Sequence, residues 1–517
     1  MPTNLVPRLA LLLLLLCGVG SALAQPKPDH PPRETRSEQP ASPNGKGVLR
    51  LLPADSVTEK SVDTAQGKIA YTATAGTLPF YDQSGEQSAA VFYVAYIAKD
   101  RGPNRPLTFV FNGGPGAASA FLSLGLVGPR ILDFGPSGRD GANAKLVDNP
   151  QSWLNFTDLV LIDPIGTGWS RTVKSDDAKE FYSVRADAES LAKAIALYVA
   201  HNGRAASPKY ILGESYGGLR SAKVATSLRQ DQGILISGIV MLSPLIEGRL
   251  VFGANDLALG AALELPSLAA AELERKNAFN EQGVQDAEKF ALNEYLPTLA
   301  GPPPTGDAGR AFYDRVAKLT GIPEDIVAKN QGFLGGVYQK HSDGDGADIV
   351  SSYDASFLAP DPYPESESGR SDDPILDGFV RAYGGAFSSY ARDELGFHTD
   401  MTYNLLSSSV NEHWNWGGRN GGSRLHASGT DDIKEMLTLV PSFRLLVAQG
   451  YSDLIVPFGV NKYVLDHMPP AFADRVALKL YRGGHMFYTR PTSREQFTTD
   501  AKAFFAAQPA TAPVQSN

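Results

Sequence analysis

Cysteine is nearly absent from this sequence. The single thiol, Cys17, lies near the start of a 517-residue chain, so no disulfide between two of its residues can brace the fold. A chain of this length can stand on its own core without one. Lysine and arginine form no dense block, and the formal net charge is −9. Nucleic acid and anionic membrane surfaces therefore have no basic patch to bind. The phosphate loops Gly-x-x-x-x-Gly-Lys-Ser/Thr and Gly-x-Gly-x-x-Gly are missing, as are His-Glu-x-x-His and any Cys/His cluster. Neither a nucleotide, a metal nor another cofactor is expected. The stretch Asp343 to Asp348 has calcium-like spacing but lacks the closing glutamate of a calcium loop, and an exposed turn is expected there. No integral membrane span is expected either, because the apolar run Leu9 to Leu16 is too short to cross a bilayer.

That short run has another reading. Arg8 precedes it, and Ala22-Leu23-Ala24 follows it. A basic start, a short apolar run and a small-residue exit make a secretory signal peptide over residues 1–24, with cleavage after Ala24. Lipid anchoring at Cys17 is the alternative, but bulky Leu16 stands where a small residue is wanted. The chain is thus expected in the periplasm or outside the cell. Residues 25–46 carry Pro26, Pro28, Pro31, Pro32, Pro40 and Pro43 among charges and serines, which suits a linker with no core. Residues 509–517 read as a flexible tail. The remainder, in a chain that is 43% hydrophobic and 20% charged, has ordinary globular composition.

Short apolar runs alternate with helical stretches through the first half. Val91 to Tyr96, Pro106 to Phe111, Leu159 to Asp163, Tyr210 to Leu212 and Ile236 to Leu242 read as strands. Ala186 to Ala200 reads as a helix, with Leu191, Ala194, Ile195 and Val199 on one face. This alternation points to an α/β fold, a mostly parallel sheet flanked by helices. Residues 47–243 form its first part and 440–508 its second. Between them, 244–439 reads as a mainly helical cap insertion that would roof a site. Within it, Asn411 to Gly417 could line a pocket, although Trp414 and Trp416 suit buried packing better.

Between the run at Tyr210 and the next helical stretch lies Gly213-Glu214-Ser215-Tyr216-Gly217. A Gly-x-Ser-x-Gly between strand and helix is the nucleophile elbow of α/β-hydrolases, in which a tight turn lifts the serine out of the sheet. In that fold the partners follow in the order Ser, Asp or Glu, His. Asp453 lies just past the apolar run Phe443 to Gly450, and His485 lies in a loop past Val476 to Tyr481. Either alone is an ordinary turn or loop residue. Together, in order and each after a strand, they make Ser215, Asp453 and His485 the expected catalytic triad. The loop Asn112-Gly113-Gly114-Pro115-Gly116 follows another strand and can bring bare backbone N–H groups to an oxyanion. Gly114 and Tyr216 are the expected pair.

These blocks, with Asp163-Pro164-Ile165-Gly166-Thr167-Gly168-Trp169-Ser170 and Gly484-His485-Met486, resemble the signatures of the serine carboxypeptidase family (peptidase family S10), in particular its bacterial branch. The resemblance runs from about residue 90 to about residue 490. It implies removal of the C-terminal residue from a peptide substrate. It also implies that Asn112, the Gly113 N–H and Glu214 hold the substrate's terminal carboxylate. A glutamate can face a carboxylate only if one of the two is protonated, so a raised Glu214 pKa and an acidic optimum follow. Two positions depart from the family pattern. Leu126 stands where a second glutamate is usual, and Ala117 where eukaryotic members have a cysteine.

The reading is therefore a secreted serine carboxypeptidase-like hydrolase with an α/β-hydrolase fold. An esterase or acyltransferase on the same triad is the alternative, since fold and triad do not set the leaving group. A non-catalytic periplasmic binding protein is a third reading, one with no need to retain Ser215.

Overall fold

The computed structural model describes residues 45–99, 102, 105–135, 138–342, 347–366, 372–417 and 422–507. The expected signal peptide, most of the proline-rich segment, the expected C-terminal tail and most of the calcium-like stretch lie outside these residues.

Ten strands form one mixed sheet. They are β1 (Ser56–Thr64), β2 (Gly67–Tyr81), β3 (Gln87–Ala98), β4 (Leu107–Phe111), β5 (Asp158–Ile162), β6 (Arg171–Thr172), β7 (Lys209–Glu214), β8 (Gly238–Leu242), β9 (Arg444–Gly450) and β10 (Val476–Tyr481). Their order is β1-β2-β3-β5-β4-β7-β8-β9-β10, with β6 paired to β3. Contacts from β1 through β3 to β5 are antiparallel, and those from β5 through β4 to β10 are parallel.

The parallel half is covered on both faces, which is why its strands are near-continuous apolar runs. Alternate residues enter different cores. Phe109, Ile211, Ile239 and Val447 share one apolar cluster with Leu191 and Ile195. Val110, Leu212, Val240 and Leu446 share the other with Phe497 and Phe504. The first face is packed by α1 (Val184–His201) and α2 (Tyr216–Asp231). The helix α1 begins at Ser183, whose hydroxyl accepts the Ala186 N–H at 3.1 Å, a standard N-cap.

Between β8 and β9, which are neighbours in the sheet, the chain leaves and returns. This stretch carries several helices, including α3 (Ala258–Arg275) and segments Gly306–Thr320 and Ala382–Asp393, together with the small hairpin Asp348–Val350/Leu358–Pro360. Part of it has a core of its own around Leu265, Leu268, Tyr295 and Val316. Another part, with Tyr383, Phe387 and Tyr390, packs onto the second sheet face.

The parallel register brings the carboxyl ends of β4, β7, β8, β9 and β10 to one edge, where open α/β sheets collect functional groups. One buried ion pair ties this edge to the helices. Arg220 on α2 is 1% exposed. Its Nε donates to Asp187 Oδ2 on α1 at 2.7 Å, and its Nη1 donates to the backbone carbonyl of Asn112. Asp187→Ala should leave a buried guanidinium without its counter-charge and cost about 3–5 kcal/mol of stability. Denaturant unfolding monitored by circular dichroism measures it. A loss within about 0.5 kcal/mol, the range of an ordinary surface substitution, would show that the pair does not hold the edge together.

Candidate active site

The β7 strand ends at Glu214, and α2 starts at Tyr216, so a single residue makes the turn. Ser215 sits at φ 61° and ψ −126°, a strained region for a residue with a side chain. Backbone bonds hold it there. Its N–H donates to the Leu242 carbonyl at 2.9 Å, and its carbonyl accepts from Gly218 N–H at 2.9 Å and Leu245 N–H at 3.0 Å. The turn closes only because Gly213 is bare: a Cβ there would collide with the Gly217 carbonyl and the Ser221 hydroxyl. The Asn112–Gly114 loop lies against the same turn. A Cβ on Gly113 would stand 2.5 Å from the Glu214 carbonyl oxygen and 2.6 Å from the Tyr216 nitrogen.

Asp453 and His485 meet in the loops after β9 and β10. Asp453 is fully buried. Its Oδ1 accepts the N–H groups of Ile455 at 2.9 Å and Val456 at 3.0 Å, and its Oδ2 accepts His485 Nδ1–H at 2.9 Å. That bond fixes the tautomer and leaves Nε2 with its lone pair. Two further contacts hold the histidine. Its backbone N–H reaches the Tyr353 carbonyl at 2.5 Å, and its ring meets that of Tyr353 edge-on at 5.3 Å. Burial works most strongly against the imidazolium. The Asp453 carboxylate, through charge and hydrogen bond, outweighs it with help from Glu214 and Asp373, and the His485 pKa lies above its ordinary value.

Glu214 is 3% exposed. Asn112 Nδ2 donates to Oε2, and the Tyr488 hydroxyl donates to Oε1 at 2.8 Å. Burial pushes its pKa up to about 7. His485, Tyr488 and Asn112 pull it back, while Asp453 adds to the rise. Tyr488 lies three residues past His485, a position that motif reading passed over. Leu126, fully buried, shares an apolar cluster with Tyr488 and Tyr383. A Cβ on neighbouring Gly125 would meet Tyr383 Oη and Tyr488 Cε2, each at 2.9 Å. The elements around the glycine loop thus offer Glu214 a phenol.

The residues expected from sequence fall into three linked sets. Gly114, Ser215 and Tyr216 share a cavity of about 450 Å³ with Trp416, Asn411 and Glu264. Asn112 and Glu214 are bonded to each other, and His485 and Asp453 likewise. The groups connect through the elbow backbone and through charge between Glu214 and His485. Among the described residues no hydrogen bond joins the Ser215 hydroxyl to His485; such contacts are often long in a ligand-free site. Both tryptophan roles are seen, since the rings of Trp414 and Trp416 pack on Tyr216 at 5.2 and 5.6 Å and Trp416 also lines the cavity. A larger cavity of about 630 Å³ between α1 and α2 contains neither Ser215 nor the glycine loop. Among the described residues no group of three His, Cys, Asp or Glu is placed to hold a metal ion, and no helix is long and apolar enough to cross a membrane.

The His485–Asp453 bond has a direct readout. By nuclear magnetic resonance the His485 imidazole should titrate above its ordinary value, and Asp453→Ala should lower it, because the largest effect opposing burial is then removed. An unchanged pKa in that variant would show that the carboxylate does not govern the ring.

Parts of this chain are similar to known proteins. Residues 68–247 match the family model of serine carboxypeptidases. Serine carboxypeptidase-like 44 of Arabidopsis thaliana is 30% identical over 113 residues, 22% of this chain and 22% of that protein. The retinoid-inducible serine carboxypeptidase of Rattus norvegicus is 29% identical over 259 residues, 47% of this chain and 48% of that one. The chain therefore matches half or less of the length of these relatives. The crystal structure of KEX1(delta)p, a prohormone-processing carboxypeptidase from Saccharomyces cerevisiae, superposes with a TM-score of 0.52 at 15% identity, over 84% of this chain and 91% of that one. The fold is that of the α/β-hydrolases, and the stretch 68–247, which carries the Asn112 loop, the elbow and Glu214, is similar to the serine carboxypeptidase family by its match to that family's model.

Proposed function

We propose that the chain is a secreted or periplasmic serine carboxypeptidase of the bacterial branch, releasing C-terminal residues from peptides through an acyl-enzyme on Ser215. The observation that supports this is the buried Asp453–His485 bond, with His485 in charge contact with Glu214 of the elbow. In this reading His485 Nε2 takes the proton from the Ser215 hydroxyl as the oxygen attacks the peptide carbonyl. Asp453 orients the ring and stabilises the imidazolium. The N–H groups of Gly114 and Tyr216 receive the oxyanion. Collapse of the intermediate expels the C-terminal amino acid, which takes the proton from His485, and water then frees the shortened peptide. Asn112, the Gly113 N–H and Glu214 hold the terminal carboxylate. The export reading rests on the Arg8–Ala24 pattern, and the branch on the lack of a cysteine at Ala117.

A second reading has one observation in its favour. Both oxygens of Glu214 already accept hydrogen bonds, from Asn112 and Tyr488, and Leu126 supplies no second carboxyl. With no carboxylate clamp the same triad is an esterase or acyltransferase.

Two measurements decide. A fluorophosphonate probe should label the wild type and fail on Ser215→Ala; labelling of that variant would place the nucleophile elsewhere. The Glu214 pKa of about 7 sets the pH profile, because only the protonated acid can donate to a substrate carboxylate. KM for a free-acid peptide should rise roughly fivefold between pH 7 and pH 8, as the protonated fraction falls. KM for its C-terminal amide should not, and Glu214→Gln should flatten the profile. Equal handling of acid and amide at every pH would remove the clamp and favour the esterase.

A further inference from the structure

The cavity behind Ser215 has a carboxyl group in its wall with nothing to hold. Glu264, on α3, is 8% exposed and lines the cavity that Ser215, Gly114 and Tyr216 also line. Among the described residues no donor bonds to its carboxylate and no cation pairs with it. The nearby phenols are turned elsewhere: Tyr295 donates to the Gly332 carbonyl at 2.6 Å and Tyr338 to the Leu268 carbonyl at 3.4 Å. Arg275, on the same helix, is engaged with Glu272 at 2.6 Å. The guanidinium of Arg424, also at the cavity, lies over the Phe252 ring at 4.2 Å. A Cβ on Gly335 would stand 2.3 Å from Asn255 Oδ1 and 3.3 Å from Glu264 Oε2, so the bare glycine gives both side chains their room. Burial alone pushes Glu264 up to about 7.

A buried carboxyl without a partner is costly, and such groups collect where a ligand completes them. Leu245, Val251, Leu454, Ile455 and Val456 give the wall apolar stretches, between which Asn255, Ser352, Asn411 and Arg424 are polar. Arg424 is exposed at the rim, whereas Glu264 is buried, and a buried carboxylate beside apolar stretches fits a side chain with a methylene stem and a cationic head. The cavity's position sets which substrate residue enters. It includes Ser215 and the oxyanion residues but none of Asn112, Gly113 or Glu214, the groups set for a terminal carboxylate. The residue lying in it is therefore the one whose carbonyl is attacked.

We propose that this cavity receives the side chain of the acyl residue, the penultimate residue of a peptide, and that Glu264 selects lysine or arginine there. This rests on acyl transfer at Ser215 but holds equally for a peptidase and an esterase.

The test uses the full chain and two esters of one shape, N-benzoyl-arginine ethyl ester and N-benzoyl-citrulline ethyl ester, which differ in charge. At pH 8 the arginine ester should have a kcat/KM at least about tenfold higher, the scale of one good pocket contact. The ratio should fall toward 1 by pH 5.5 as Glu264 takes up a proton. His485 and Glu214 act on both esters and cancel from the ratio, while Tyr295 and Tyr338, both shifted upward by burial first and by Glu264, stay neutral throughout. Glu264→Gln should bring the ratio near 1 at every pH. If that variant does not fold, the wild-type pH profile of the ratio decides alone. Turnover of both esters with a ratio near 1 at pH 8, or a preference that Glu264→Gln retains, overturns the assignment of Glu264 and leaves the triad standing. No turnover of any ester or peptide, with no labelling of Ser215, overturns acyl transfer and this proposal together.

Discussion

The turn at Ser215 is a place where backbone must touch backbone. Glu214 ends one strand, Tyr216 begins a helix, and the residue between them sits at φ 61°. Three separate pieces of chain close on that point: the strand end with Gly213, the helix start with Gly217, and the loop with Gly113. A side chain at Gly213 or Gly113 would force them apart. The strain is held by bonds to Leu242 and Leu245 and by Arg220, which links the Asn112 carbonyl to Asp187 on the neighbouring helix. Gly114, Ser215 and Tyr216 are thereby held at one cavity by the fold, and the proposed acyl transfer needs such donors fixed before substrate arrives.

The same crowding determines the electrostatics. Glu214 has to be buried because it ends the central strand, and burial raises its pKa to about 7. It then acts on His485, whose imidazolium it helps stabilise alongside Asp453. The acid that would face a substrate carboxylate and the base that would activate the serine are thus coupled, and their pH behaviour belongs to the pair. Asp453 belongs to this set too, since its charge raises the Glu214 pKa while holding the histidine.

Much of this was readable from sequence, for identifiable reasons. The inner parallel strands announced themselves because burial on both faces makes them continuous apolar runs, and Pro106 to Phe111 differs from the observed strand by one residue; the edge strand Val476 to Tyr481 is half-exposed but was still read from its apolar residues. Ser215, Asp453 and His485 were legible because each follows such a run. The long hairpin β1–β2 was not, because the middle of β2 buries only the small Ala73, Ala75 and Gly76, which interrupt the alternation of Ile69 and Tyr71 with Leu78 and Phe80. Tyr488, Tyr353 and Glu264 were also missed. Each is brought to the site by packing between segments far apart in sequence: Tyr488 lies 274 residues from the glutamate it bonds. A lone glutamate amid the alanines and leucines of α3 carries no local sign that it faces a cavity.

The central claim is a covalent acyl intermediate on Ser215 formed with loss of a C-terminal residue. It is tested most directly by mixing the protein with a peptide, quenching in acid within milliseconds and taking the intact mass. The account predicts a protein heavier by the peptide lacking its last residue, with the adduct mapped to Ser215 and one equivalent of the terminal amino acid released in the same burst. Release of that amino acid with no adduct at any quench time, or an adduct on another residue, would contradict it.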